Sequence, residues 1–142
     1  MKTGSCFCGK LRYEYIGEPA MTVTCHCLTC QKLSGSAFTT NICVPEDKYR
    51  VTSGTPKTYD WTHESGMKME FSFCGDCGAN ISKTGDHDAF KGMVIVQAGS
   101  LDERQEQELP APAAELYAKQ RVSWLPALAG VGQIQELPEV PT

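Results

Sequence analysis

Phe73-Cys74-Gly75-Asp76-Cys77-Gly78 is the stretch that decides how this chain folds. Its two thiols stand three residues apart, and a short turn is needed to bring both sulfurs onto one ion. Gly78 directly follows the second thiol. A glycine there can take positive φ and lets backbone amides approach the sulfurs with no β-carbon in the way. The same punctuation occurs near the start of the chain, in Cys6-Phe7-Cys8-Gly9. Two half-sites make one closed tetrahedral site, so Cys6, Cys8, Cys74 and Cys77 are expected to hold a structural zinc. Such an ion closes a long loop, which couples its binding to folding.

Three further thiols lie in Cys25-His26-Cys27-Leu28-Thr29-Cys30. They supply three ligands where zinc takes four, and three protein ligands with an open position is the pattern of a catalytic zinc. The eighth cysteine, Cys43, sits in Phe38-Thr39-Thr40-Asn41-Ile42-Cys43-Val44, which reads as a strand. There it is expected to pack as a small core hydrophobe. The alternative makes Cys43 a fourth ligand and both sites inert. Eight cysteines in 142 residues fall below the roughly 8–10% of small disulfide-built secreted chains. Four disulfides would also need an oxidising compartment for which the sequence carries no signal.

The length suits one domain. Apolar residues make up 41% and charged residues 21%, with 13 basic against 17 acidic side chains and a net charge of -4. That balance excludes a disordered or coiled-coil chain and gives no general attraction to phosphate backbones or anionic lipid, so neither nucleic acid nor membrane is an expected partner. No window approaches the roughly 20 apolar residues of a membrane helix, and Met1-Lys2-Thr3-Gly4-Ser5 lacks an apolar signal core, so the expected location is the cytoplasm.

Leu11-Arg12-Tyr13-Glu14-Tyr15 and Met67-Lys68-Met69-Glu70-Phe71-Ser72-Phe73 alternate apolar with polar residues, the pattern of strands with one face buried. Met93-Val94-Ile95-Val96 reads as a strand buried on both faces, and Thr22–Thr24, Lys48–Val51 and Ala79–Ser82 as weaker strands. One helical turn is expected over Leu28–Leu33 and two over Ala113–Gln120. The polar stretch 102–108 reads as irregular and 138–142 as a frayed end. The fold expected is mainly β, one zinc-stapled domain over 1–130 with short helical turns, followed by a C-terminal tail over 131–142.

Taken together, Gly4-Ser5-Cys6-Phe7-Cys8-Gly9 with Tyr13, the Cys25–Cys30 block with Ser34-Gly35, Phe73–Gly78, Gly99-Ser100-Leu101-Asp102 and Trp124 resemble the glutathione-dependent formaldehyde-activating enzyme family, which includes centromere protein V. The resemblance spans nearly the whole chain. It implies a tent-like β fold, a structural zinc on Cys6, Cys8, Cys74 and Cys77, a second zinc on Cys25, Cys27 and Cys30, and a carbon-sulfur lyase of the S-(hydroxymethyl)glutathione synthase type. Its partners would be a small thiol and a small carbonyl compound. Gln31 stands where many members carry arginine, which removes one cation from the neighbourhood of an anionic substrate.

Three thiolates on a zinc ion leave a net charge of −1, a poor Lewis acid for activating water but a soft site for exchanging another thiolate. A substrate thiol bound there as thiolate is a nucleophile for a nearby carbonyl carbon. In an extended Cys25-His26-Cys27, His26 points away from both sulfurs, so it is expected to pack or to support the ligands. His63 and His87 lie in polar segments and read as solvated surface residues; Phe38, Tyr117 and Trp124 read as core. Two rival readings are a non-catalytic zinc module that binds a protein partner and a thiol-redox enzyme using Cys43 or a Cys-x-x-Cys pair.

Overall fold

Period-two patterning becomes strand throughout the computed structural model, which describes residues 1–102, 109 and 111–139. The expected irregular stretch 102–108 and the frayed end 138–142 lie largely outside the described residues. In chain order the elements are β1 (Lys2–Ser5), β2 (Arg12–Tyr15), β3 (Met21–Cys25), α1 (Leu28–Ser34), β4 (Thr39–Pro45), β5 (Tyr49–Ser53), β6 (Lys57–Thr62), β7 (Lys68–Phe73), β8 (Asn80–Gly85), β9 (Met93–Gln97), β10 (Ala114–Leu116) and β11 (Gly132–Gln133). Short 3-10 turns follow β4, β9 and β10. The fold is mainly β, in a single domain, as its patterning implies.

Two sheets form: a three-stranded one ordered β1-β2-β5, and an eight-stranded one ordered β11-β10-β3-β4-β9-β8-β7-β6. The buried residues separate into two clusters. One gathers Leu11, Tyr13, Tyr15, Ile42, Val44, Ile81 and Val96 around Cys6 and Cys74. The other gathers Val23, Met67, Met69, Phe71, Phe90, Ile95 and Leu116 around Cys25, Cys27 and Cys30. Each group of thiols therefore has its own apolar bed. Cys43 is fully buried on β4 within the second cluster.

Two helical turns over Ala113–Gln120 do not form. Ala114–Leu116 instead pairs in parallel with β3, Ala114 opposite Val23 and Leu116 opposite Cys25, and a 3-10 turn covers only Ala118–Gln120. The sheet satisfies backbone groups that so short a helix, with its costly nucleus, leaves open. Tyr117, at φ 53, then breaks the regular backbone. The strand β1 carries no clear period-two signal; β6 alternates aromatic Tyr59 and Trp61 with polar residues, yet it is exposed at every residue and forms an edge of the large sheet. The described part of the 131–142 segment is tied back to the domain: β11 pairs with β10, and Ile134 and Leu137 pack on the second cluster.

Helix α1 is short and well bounded. The Cys27 sulfur accepts from the Cys30 amide as its N-cap, and Gly35 closes it in the left-handed region at φ 66.

Gly54 combines φ +79 with a backbone position where a β-carbon would run into the carbonyl of Lys10, whereas Gly17, at φ +78, faces open space. A left-handed conformation costs an L-residue about 1–2 kcal/mol. Thermal melts should show Gly17→Ala losing about that much and Gly54→Ala clearly more, because its backbone neighbour cannot swing aside; equal losses would contradict the tight crossing of β5 and the 6–11 turn.

Candidate metal centres

The N-terminal and central knuckles meet. The Cys6 and Cys8 sulfurs lie 3.5 Å apart and those of Cys8 and Cys74 3.7 Å, and the sulfurs of Cys6, Cys8, Cys74 and Cys77 all lie within 4.8 Å of one another. Four thiolates at about 2.3 Å from a tetrahedral zinc stand roughly 3.8 Å apart, so the donor set fits that ion. The turns that make this possible are matched: Gly9 N–H donates to Cys6 O and Gly78 N–H to Cys74 O, with the two glycines at φ 76 and 77. Leu11 and Cys77 amides donate to the Cys6 and Cys74 sulfurs at 3.3 and 3.4 Å. Burial pushes the Cys6 thiol up, but the Leu11 amide and the neighbouring thiols outweigh it and hold the group at about 6.

The second group is assembled locally. Cys25 ends β3, Cys27 caps α1 and Cys30 lies in its first turn. Their sulfurs lie within 4.8 Å of one another and all three residues are buried. The neighbouring Cys25 and Cys27 thiols hold the Cys30 sulfur well below the usual thiol range, with the Lys83 ammonium adding to this against burial; Cys25 is correspondingly raised. The sulfurs line a small, largely apolar cavity of about 30 Å³, room for one or two water molecules. Among the described residues, Cys43 joins neither group of thiols.

Two residues at this cavity were not expected there. His63, read above as a solvated surface residue, is 3% exposed and lines the cavity. The hairpin between β6 and β7 explains the difference: His63 N–H donates to Met67 O, Gly66 N–H returns to His63 O, and the ring is folded inward beside Tyr117. The Ser65 amide donates to His63 Nδ1 at 3.1 Å. An accepting Nδ1 leaves the ring proton on Nε2. Burial lowers the His63 pKa, and the Glu64 carboxylate and Cys30 sulfur oppose this only in part. A nitrogen of this neutral ring, the Cys27 sulfur and a Glu64 oxygen lie within 4.8 Å of one another. The sequence signal was present in Ser65-Gly66 between two strands, which marks a tight hairpin rather than an open loop.

Lys83 is the other. It is 3% exposed, on β8, and its Nζ donates to the Cys30 sulfur at 3.4 Å and to Thr39 Oγ1 at 3.5 Å. Lys83 lies between Ser82 and Thr84, and its register against Phe71 of β7 and Ile95 of β9 turns it inward.

His26 braces the loop that carries the three thiols. It is fully buried, and its Nε2 lies 2.9 Å from Glu115 Oε1. Glu115 also accepts from the Leu128 amide and Gln133 Nε2, with the Arg121 guanidinium 3.6 Å away. Gln31 Nε2 donates to the backbone oxygens of His26 and Gln120, so this side chain braces the same loop. His87 is half-buried with Nδ1 accepting from the Ala89 amide, and Trp124, expected in the core, is 74% exposed.

The chain belongs to the glutathione-dependent formaldehyde-activating enzyme family, whose model matches residues 1–120. A crystal structure of a Rhodobacter sphaeroides protein is similar to it, with a TM-score of 0.54 at 19% identity over 76% of this chain and 97% of the other. That likeness speaks for the fold. No curated protein matches the chain. Among the described residues no helix is long and apolar enough to cross a membrane.

Burial alone would raise the Glu115 carboxyl, but the Gln133, Leu128 and His26 bonds and the Arg121 charge hold it down at about 2, below its ordinary 4.5. A depressed carboxyl stabilises the folded state fully above its unfolded pKa and loses that contribution as the pH falls through the folded one. Acid unfolding should therefore steepen between about pH 4.5 and 2, and Glu115→Gln should melt earlier at pH 7 while flattening this dependence. An unchanged acid limb in the variant would remove Glu115 from that role.

Proposed function

We propose that this protein is a zinc-dependent carbon-sulfur lyase that joins a small glutathione-like thiol to a small aldehyde such as formaldehyde, with two Zn2+ per chain. Cys6, Cys8, Cys74 and Cys77 would hold the structural ion, and Cys25, Cys27 and Cys30 the second. The observation that carries this reading is the pairing of three buried thiols with an inward-facing imidazole at one small, largely apolar cavity. Membership of the family supports it. Reduced, metal-holding thiols suit the cytoplasm.

The second zinc, when bound, lowers the pKa of an entering thiol and keeps it as thiolate. The rest falls to the chain's own residues. The apolar wall of Val23, Met67, Met69, Phe90 and Ile95 excludes bulk water, which leaves the thiolate poorly solvated and reactive. His63, its tautomer pinned by Ser65, offers Nε2–H to the carbonyl oxygen. As sulfur attacks carbon the C–S bond forms, the C=O π pair moves onto oxygen, and that N–H stabilises the developing alkoxide. The alkoxide takes its proton from solvent, which balances the proton released when the thiol bound.

Zinc analysis with circular dichroism should find two ions per wild-type chain, one ion and an intact fold in Cys27→Ser, and an unfolded chain in Cys74→Ser.

The activity is tested by following S-(hydroxymethyl)glutathione formation from glutathione and formaldehyde by exchange NMR. Wild type should accelerate exchange and Cys27→Ser should not. His63→Leu should keep both ions and lose about 10²–10³ in rate, the usual loss for one oxyanion donor. A two-zinc wild-type protein that leaves the exchange rate of thiol and aldehyde unchanged would overturn the lyase.

A further inference from the structure

A buried ammonium without an anionic partner is among the most expensive groups a fold can carry. Lys83 is the only lysine buried among the described residues, and its two partners are the Cys30 sulfur and the neutral Thr39 hydroxyl. Thr39 Oγ1 already accepts from Asn41 Nδ2. The Cys30 sulfur is thus the group that makes the charge tolerable. The other titratable groups around the cavity do not share the task. Burial lowers the His63 pKa and pushes the Cys43 thiol up to about 12, and Glu64, a third exposed and accepting from the Thr29 hydroxyl, makes no bond to Lys83. No second lysine or arginine lines this cavity among the described residues.

We propose that Lys83 is a specificity-determining residue of the second metal centre: its buried charge balances the cysteine sulfurs and makes an anionic sulfur, rather than a neutral ligand, the favoured occupant of the fourth position. The inference rests on the reading that Cys25, Cys27 and Cys30 hold a dication with one position open. Three thiolates on a dication leave −1, and Lys83 offsets that charge; the part-exposed Glu64 carboxylate near Cys27 is the same with and without Lys83 and is left out of the sum, which then stands at zero. An entering thiolate takes it to −1; without Lys83 the same step ends at −2 inside an apolar wall. A neutral ligand changes the charge in neither case and is indifferent to Lys83.

The test uses full-length protein loaded with Co(II), whose thiolate charge-transfer and d–d bands report ligand changes. Wild type and Lys83→Met are titrated with 2-mercaptoethanol, a thiol with no other charge, and with imidazole as the neutral ligand. An opposite charge within about 4–6 Å favours an anion roughly ten- to a thousandfold, so Lys83→Met should take up the thiol at least about tenfold more weakly while its imidazole affinity stays within about twofold. Equal weakening for both ligands, or none for either, overturns the role of Lys83 and leaves the lyase reading standing. If Lys83→Met holds only the first cobalt, Lys83→Arg decides: recovery of the second cobalt and of thiol uptake supports the proposal, and failure to recover overturns it. A wild-type protein that binds only one cobalt overturns both this inference and the open three-cysteine centre beneath it.

Discussion

Four sulfurs from two distant segments converge within 4.8 Å, and the arrangement of both sheets follows from that convergence. The knuckle Cys6–Gly9 leads into β2, and the knuckle Cys74–Gly78 is the turn between β7 and β8. Joining them sets the small sheet against the end of the large one. The supporting bonds are local and repeated, an amide to a sulfur and a glycine amide to a cysteine carbonyl on each side. The first hydrophobic cluster then closes around Cys6 and Cys74, so apolar burial and the sulfur cage reinforce one another.

The three-cysteine group depends on a different device. Its residues are contiguous, so no long loop has to close to bring them together; the difficulty is to hold a bend of exposed polar backbone inside an apolar cluster. Glu115 resolves this. From the central position of β10 it reaches His26 between two of the cysteines, and it also gathers the loop carrying Leu128 and the strand β11 through Gln133. The parallel pairing of β10 with β3 that defeats a helix at Ala113–Gln120 is what brings the carboxylate under His26. A residue that looks like part of a solvent-facing helix is thereby a buried brace for the cavity wall.

Much of this was legible in the sequence because short-range patterns carry it. Cysteine spacing with following glycines sorts seven thiols into two groups, and period-two alternation gives β2 and β7 to within a residue or so. What escaped depends on long-range register. β6 has only Tyr59 and Trp61 alternating with polar residues and no buried face, so its signal is short and weak, and β10 pairs with β3 as a strand of only three residues. His63 and Lys83 escaped for the same reason: polarity places a residue at the surface by default, and only the hairpin at 63–67 and the pairing of β8 turn these two inward. Trp124 shows the converse, an aromatic side chain left in solvent because no element packs over it.

The two centres are mechanically joined. β7 runs from the His63 hairpin to Cys74, and β8 runs from beyond Cys77 to Lys83, with Phe71 opposite Lys83 in the ladder. The knuckle between them fixes that register at its closed end. Side chains alternate faces along a strand, so a slip of one residue would carry Lys83 out of the core and place Ser82 or Thr84 at the Cys30 sulfur. A bulge at Ser72/Phe73 already takes up the one irregularity the turn introduces. The sulfur cage near the N-terminus therefore acts on the cavity through the hairpin: by locking one end of β7 and β8 it determines which polar side chains the other end delivers to the three thiols.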